Sequence, residues 1–230
     1  MSRTLGIKAA AALAVLSLGM ITSAKAASVD LSAFGWMADT DPGIDLTILS
    51  TSNNGITLAL EKNAIFTSTA PLNITFRQVS SSAVANIAID DETIVNDSGS
   101  NFTGFTFSVS GGTSNNGAVP HFDQAASAGF LTDPFATGSY SSDSTSLSAT
   151  GGTLTSGAFS SNIWHPGLNA GDLTIAAAPF TSGNVNQSFV FTEIPQTATQ
   201  AIPLPAAAWT SLSGLLGLGI LAKRAKKSIA

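Results

Sequence analysis

The 230-residue sequence contains no cysteine. This absence excludes a disulfide framework, a thiolate metal site and a cysteine nucleophile, so a folded domain must be stabilised by its core. Histidine is scarce: His121 and His165 are the only two, and neither belongs to a metal-ligand pair. A Gly-x-Ser-x-Gly nucleophile motif is also missing. We therefore predict a protein that is not an enzyme and that holds no cofactor.

Positive charge is nearly absent from the central part of the chain. Between residues 27 and 201 the basic residues are Lys62 and Arg77, against all fourteen acidic residues, so this part carries 2 − 14 = −12 charges. Nucleic-acid binding needs clustered lysine and arginine. DNA and RNA are therefore excluded as partners of the central region.

The N-terminus has the three parts of a signal peptide. Two basic residues precede an apolar run from Ala9 to Ile21, and Ala24 and Ala26 form a small-x-small cleavage site. The run is shorter than the roughly 20 residues that a membrane span requires. We predict that residues 1–26 are removed by a signal peptidase after export through the general secretion machinery, so that the mature chain begins at Ala27.

Apolar residues of the central region alternate with polar ones, which is typical of β-strands. In Leu72–Arg77 and in Phe105–Val109 the period of two places the large side chains on one face. Further strands are predicted at 44–50, 55–61, 84–89, 172–177 and 188–193, separated by Asn-Gly and Gly-Gly turns. We predict an all-β ectodomain over 27–193, an antiparallel β-sandwich of jelly-roll-like or Ig-like type. The Ser/Thr/Gly-rich segment 139–161 fits a linker or a pair of edge strands equally well, and 122–130 fits a short helix.

The C-terminal region has three consecutive parts. A polar spacer is predicted over 194–201, followed by an apolar stretch of about 18 residues at 205–222 that is long enough for one transmembrane helix. The basic cluster that ends it is expected to stay in the cytoplasm. That cluster consists of Lys223, Arg224, Lys226 and Lys227.

The last 29 residues contain several motifs in a fixed order. Ile202-Pro203-Leu204-Pro205 is followed by Ala206-Ala207-Ala208, by a Gly/Leu-rich span and by Lys223-Arg224. This order resembles the sorting signal of the PEP-CTERM family of exported proteins, in its variant with Leu between the two prolines. The resemblance implies recognition by an exosortase, a membrane-embedded cysteine transpeptidase or protease, with loss of the tail. Two prolines also favour an extended backbone that a protease could hold.

The resemblance further implies a location and a role. Family members occur in Gram-negative bacteria that make exopolysaccharide and biofilm. We therefore expect a precursor held transiently in the inner membrane by its tail, and then a cell-surface or extracellular-matrix protein with exopolysaccharide as a partner. The alternatives are an exported carbohydrate-binding module or carbohydrate-active enzyme, and a permanently membrane-anchored protein that faces the periplasm.

Two clusters in the central region have the composition of weak candidate sites. Trp164 and His165 could contact a sugar through the aromatic ring, although a tryptophan that closes the end of the sandwich is favoured. Acidic side chains at Asp90, Asp91, Glu92 and Asp97 could hold Ca²⁺, as could those of 39–45, although solvated turns are favoured for both. No other metal site is predicted.

Overall fold

The computed structural model describes residues 26–52, 55–112, 118–157, 160–167, 171–182 and 187–198. The regular structure in these ranges is mainly β-strand, and 3₁₀ turns lie at Ser32–Phe34 and Ser160–Asn162. The thirteen strands are β1 Ala27–Leu31, β2 Trp36–Thr40, β3 Ile44–Ser52, β4 Thr57–Phe66, β5 Leu72–Gln78, β6 Asn86–Asn96, β7 Phe102–Gly111, β8 His121–Phe122, β9 Thr137–Tyr140, β10 Ser146–Leu154, β11 Ile163–Trp164, β12 Leu173–Ala176 and β13 Ser188–Thr197.

The strands form two sheets. Sheet A has seven strands in the order β1-β2-β5-β13-β7-β10-β9, and all its pairs are antiparallel. Sheet B has the order β3-β4-β6-β12-β8, and β11 also pairs with β6. The β4–β6 pair is parallel, which corrects the prediction of a purely antiparallel sandwich. The chain passes through β5 in sheet A between these two strands, and this passage supplies the crossover that a parallel pair requires.

The inward faces of both sheets share one hydrophobic core. Phe66 of sheet B packs edge-on against Phe102 and Phe105 of sheet A, with ring centroids 5.7 and 5.6 Å apart. Phe122 of sheet B likewise meets Phe191 of sheet A. Because each strand alternates buried and more exposed residues, one face of each sheet is removed from water and the other is not. The all-β, two-sheet prediction is therefore confirmed.

A β-bulge interrupts the β4–β6 ladder. Glu61 pairs with Asp90, but Asn63 pairs with Thr93, so β6 has one more residue than β4 between these pairs. The extra residue reverses the alternation of β6. Ile87 and Ile89 point inward before the bulge, and Glu92 points inward after it.

Several sequence predictions are corrected or resolved. The predicted spacer at 194–201 is wrong in its first part, because β13 continues to Thr197 and Pro195 is buried within it. Pro195 lies in register with Phe105 of β7, whereas the pairing of β13 with β5 ends at Glu193, so β13 has a partner strand on one side only at this proline. Within segment 139–161, the end of β9 and all of β10 lie at the edge of sheet A, so this part of the segment is not a linker. Residues 123–127 form one hydrogen-bonded turn, not a regular helix.

The two processing segments lie almost wholly outside the described residues. Residues 1–25 and 199–230, which include the predicted transmembrane helix 205–222, are not among them. Within the described ranges, no helix is long and apolar enough to cross a bilayer.

Candidate functional site

Three ionisable side chains meet in the core between the sheets. Lys62 lies on β4 and Glu92 on the adjacent strand β6, both in sheet B, whereas Glu193 lies on β13 in sheet A. The Lys62 Nζ contacts Oε1 of Glu92 and lies 2.6 Å from Oε1 of Glu193. All three side chains have 0 % exposure. We call these residues the buried triad.

The surroundings of the buried triad are apolar. Leu46 lies opposite Lys62 on β3, and Phe107 lies opposite Glu193 on β7. Leu60 and Ala64 flank Lys62 at the inward positions of β4. No other ionisable side chain is buried among the described residues. Desolvation of each charge costs several kcal/mol, so the pairing among the three groups is what allows their burial.

The environment sets the protonation of the triad. Burial raises the pKa of Glu92 well above its usual range, since the attraction of Lys62 is opposed by the neighbouring Glu193. For Lys62, burial acts to lower the pKa, but Glu193 and then Glu92 outweigh it and raise the pKa above its usual value. These directions favour an ammonium at Lys62 and a carboxylic acid at Glu92.

Trp164 belongs to the core and not to a sugar-binding surface. Its side chain is 3 % exposed and packs edge-on against Phe105 and Phe135, with ring centroids 5.4 and 5.1 Å apart. The expectation of a sugar contact at Trp164 is therefore wrong for this conformation, because both ring faces are covered. His165 is exposed next to it, with Nδ1 3.2 Å from the Thr93 hydroxyl.

The acidic clusters do not converge on a cation site. Glu92 of the calcium candidate points into the core and pairs with Lys62, whereas Asp97 is exposed after β6. In the other cluster, Asp41 accepts hydrogen bonds from the backbone and side-chain nitrogens of Asn73 at 2.9 and 2.8 Å. Across the part of the chain that the structure describes, no three acidic or histidine side chains come close enough to hold a metal ion. The calcium expectation at Glu92 is thus corrected, since that carboxyl is committed to the triad.

Two of the predicted processing residues are among the described residues. Ala26 is exposed directly before the first strand, and Ala27 is the first residue of β1. Ala24, the motif Ile202 to Pro205 and the basic cluster after residue 222 are outside the described residues.

Comparison of the chain with protein-family models, with curated proteins and with solved structures finds no match. The buried triad was not anticipated from the sequence, although Lys62 and Glu193 carry a signal for it. Each stands at an inward position of an alternating strand, as in Phe189-x-Phe191-x-Glu193.

Proposed function

We propose that the protein is an exported cell-surface or extracellular-matrix component, sorted and processed by an exosortase. The observation that carries the proposal is the position of the fold between the two processing segments. The first strand begins at Ala27, directly after the proposed signal-peptidase site, and the last ends at Thr197, before the motif that starts at Ile202. Cleavage at either site would thus remove no strand residue.

The ectodomain is proposed to act by association rather than catalysis. Its histidines occupy separate places: His121 lies on β8 with Nδ1 2.8 Å from the Val119 carbonyl oxygen, and His165 follows β11. The acidic mature region favours solubility outside the cell, and exopolysaccharide is the proposed partner. The jelly-roll-like or Ig-like strand topology and the transmembrane helix at 205–222 remain predictions.

The sorting proposal is tested by changing the motif in the native host. The double variant Pro203→Ala/Pro205→Ala removes the two residues that favour an extended backbone before the span. We expect it to accumulate in the inner membrane with its tail retained, whereas the wild-type chain reaches the surface or the medium. Immunodetection in membrane, surface and medium fractions gives the distribution.

A matched control is Thr199→Ala, which changes the chain a few residues before the motif and should leave the distribution as in the wild type. If the proline variant is distributed and trimmed like the wild type, the exosortase proposal is wrong. If wild type and variant both remain in the inner membrane with the tail intact, the permanently anchored alternative replaces it.

A further inference from the structure

The buried triad holds the reactants of an amide-forming reaction next to one another. An amine lies against a carboxyl group, and a second carboxyl group lies on the other side of the amine. We propose that Lys62 and Glu92 condense to an intramolecular isopeptide bond between Nζ and Cδ, with Glu193 as the group that transfers protons. This inference does not depend on export or sorting.

The fold holds the reacting groups of Lys62 and Glu92 in proximity. The parallel ladder and its bulge fix Lys62 and Glu92 on neighbouring strands, so the reacting groups are held together by the fold. Effective molarities for well-oriented groups reach about 10⁵–10⁸ M. Since the three side chains have 0 % exposure, the product amide is also protected from the water that would hydrolyse it.

The reaction balances within the triad. A proton moves from the Lys62 ammonium to the Glu193 carboxylate, which leaves a neutral amine and two carboxylic acids in the apolar site. The amine nitrogen attacks Cδ of the Glu92 acid. Glu193 then accepts a second proton from this nitrogen on one oxygen and donates the proton on its other oxygen to the Glu92 hydroxyl, which leaves as water. The products are one amide, one water molecule and a protonated Glu193. No oxidant, cofactor or metal is needed.

The protonation of the site supports this assignment of roles. Because burial raises the pKa of Glu92 well above its usual range, its carboxyl group is held as the acid, which is the electrophilic form. Glu193 comes from the opposite sheet and approaches the amine at 2.6 Å, the distance of a direct proton transfer. The bond would tie β4 to β6 covalently in a domain that has no disulfide.

The bond is tested by measuring the intact mass of the denatured full chain. This mass is compared with the mass calculated from the sequence between the N- and C-termini that the protein has. We expect the wild-type protein to be lighter by one water molecule, and digestion to yield a peptide with Lys62 joined to a peptide with Glu92. Lys62→Arg keeps the positive charge but removes the nucleophilic amine, so it should have the full mass. Glu193→Gln should slow bond formation by about 10² fold or more, since it removes the proton-transfer group.

Arg77→Lys is the matched control. Arg77 pairs with Asp39 at 3.0 Å on the surface, where both side chains are about half exposed. A lysine there should not condense, so this variant should lose one water molecule, as the wild type does. A wild-type chain at full mass would overturn the proposal, as would a joined peptide that contains Glu193 in place of Glu92. This measurement on the wild type is decisive even if a triad variant fails to fold.

Discussion

Replacing Lys62 by methionine should destabilise the domain in a strongly pH-dependent manner. The substitution leaves Glu92 and Glu193 in the core without their positive partner, at sites where neither carboxyl group is exposed. The comparison variant is the triple substitution Lys62→Met/Glu92→Leu/Glu193→Leu, which replaces all three charges with apolar side chains. Neither variant can form an amide bond, so their difference isolates the cost of the two buried carboxyl groups.

The size of the difference in free energy of unfolding follows from the burial of the carboxyl groups and from the coupling of protonation to folding. Breaking a buried ion pair by removing one partner costs about 3–5 kcal/mol, whereas replacing the whole pair by apolar residues is often neutral or stabilising. A buried carboxyl group whose folded pKa is raised binds its proton more tightly in the folded than in the unfolded chain, so its stabilising effect is present at low pH and is lost as pH rises towards the folded pKa. For Glu92, whose pKa burial raises, this loss is about 1.4 kcal/mol per pH unit above an unfolded pKa of about 4.3.

Urea unfolding of both variants between pH 5 and pH 8 measures the difference in their free energies of unfolding. We expect the triple variant to be more stable by about 3–5 kcal/mol at neutral pH, and the difference to shrink towards pH 5. The midpoint should move while the m-value stays similar. Equal stabilities at every pH would refute the reasoning, because the two carboxyl groups would then be solvated.

Three further predictions concern the core, a turn and a close backbone contact. Trp164→Ala should lower the free energy of unfolding by about 3–5 kcal/mol in urea because it removes a ring enclosed by phenylalanines, and a loss near zero would contradict its core role. Asp143→Ala should lower the thermal midpoint at pH 7, since Asp143 accepts hydrogen bonds from Ser141 and Thr145 that hold its pKa at about 2. The stabilising effect of the Asp143 carboxylate is present above its usual pKa of 3.8 and is lost as pH falls through about 2. The thermal midpoints of wild type and variant should therefore converge in acid. A difference that stays constant with pH would contradict the assignment. Gly152→Ala should cost about 1–3 kcal/mol because a Cβ would lie 2.7 Å from the Phe135 Cα, which is backbone and cannot rotate away. Gly104→Ala should cost less, because its Cβ would lie 2.7 Å from the Gln196 side chain, which can rotate, and 3.2 Å from the Ala149 carbonyl oxygen. Equal losses would contradict this distinction.

Much of the fold could be predicted from alternation of apolar and polar residues. Leu72–Arg77 and Phe105–Val109 lie within β5 and β7 as expected, because a half-buried strand imposes a period of two. The sequence predicts that the domain ends at residue 193, because Pro195 and the polar residues after it are typical of a spacer. The last strand in fact continues to Thr197. The pairing of Pro195 with Phe105 on β7 depends on contacts distant in the sequence, which local pattern does not report.

The buried triad could not be predicted from the sequence for a different reason. Glu92 belongs to the run Asp90-Asp91-Glu92, whose composition is typical of a solvated turn. The bulge in β6 reverses the alternation at this run and turns Glu92 inward, and nothing in the local sequence marks the extra residue. Burial of Lys62 and Glu193 could be predicted from the sequence, because each occupies an inward position of its alternating strand. Their meeting across the two sheets required the topology.

The account of the protein as an exported and trimmed surface component is tested most directly by mass spectrometry of both termini, on protein recovered from the membrane, surface and medium fractions of the native host. It predicts a surface or medium chain that begins at Ala27 and ends between Pro203 and Ala206, so that all thirteen strands are retained. A chain that still carries Lys223 to Lys227 and is found only in the inner membrane would contradict it.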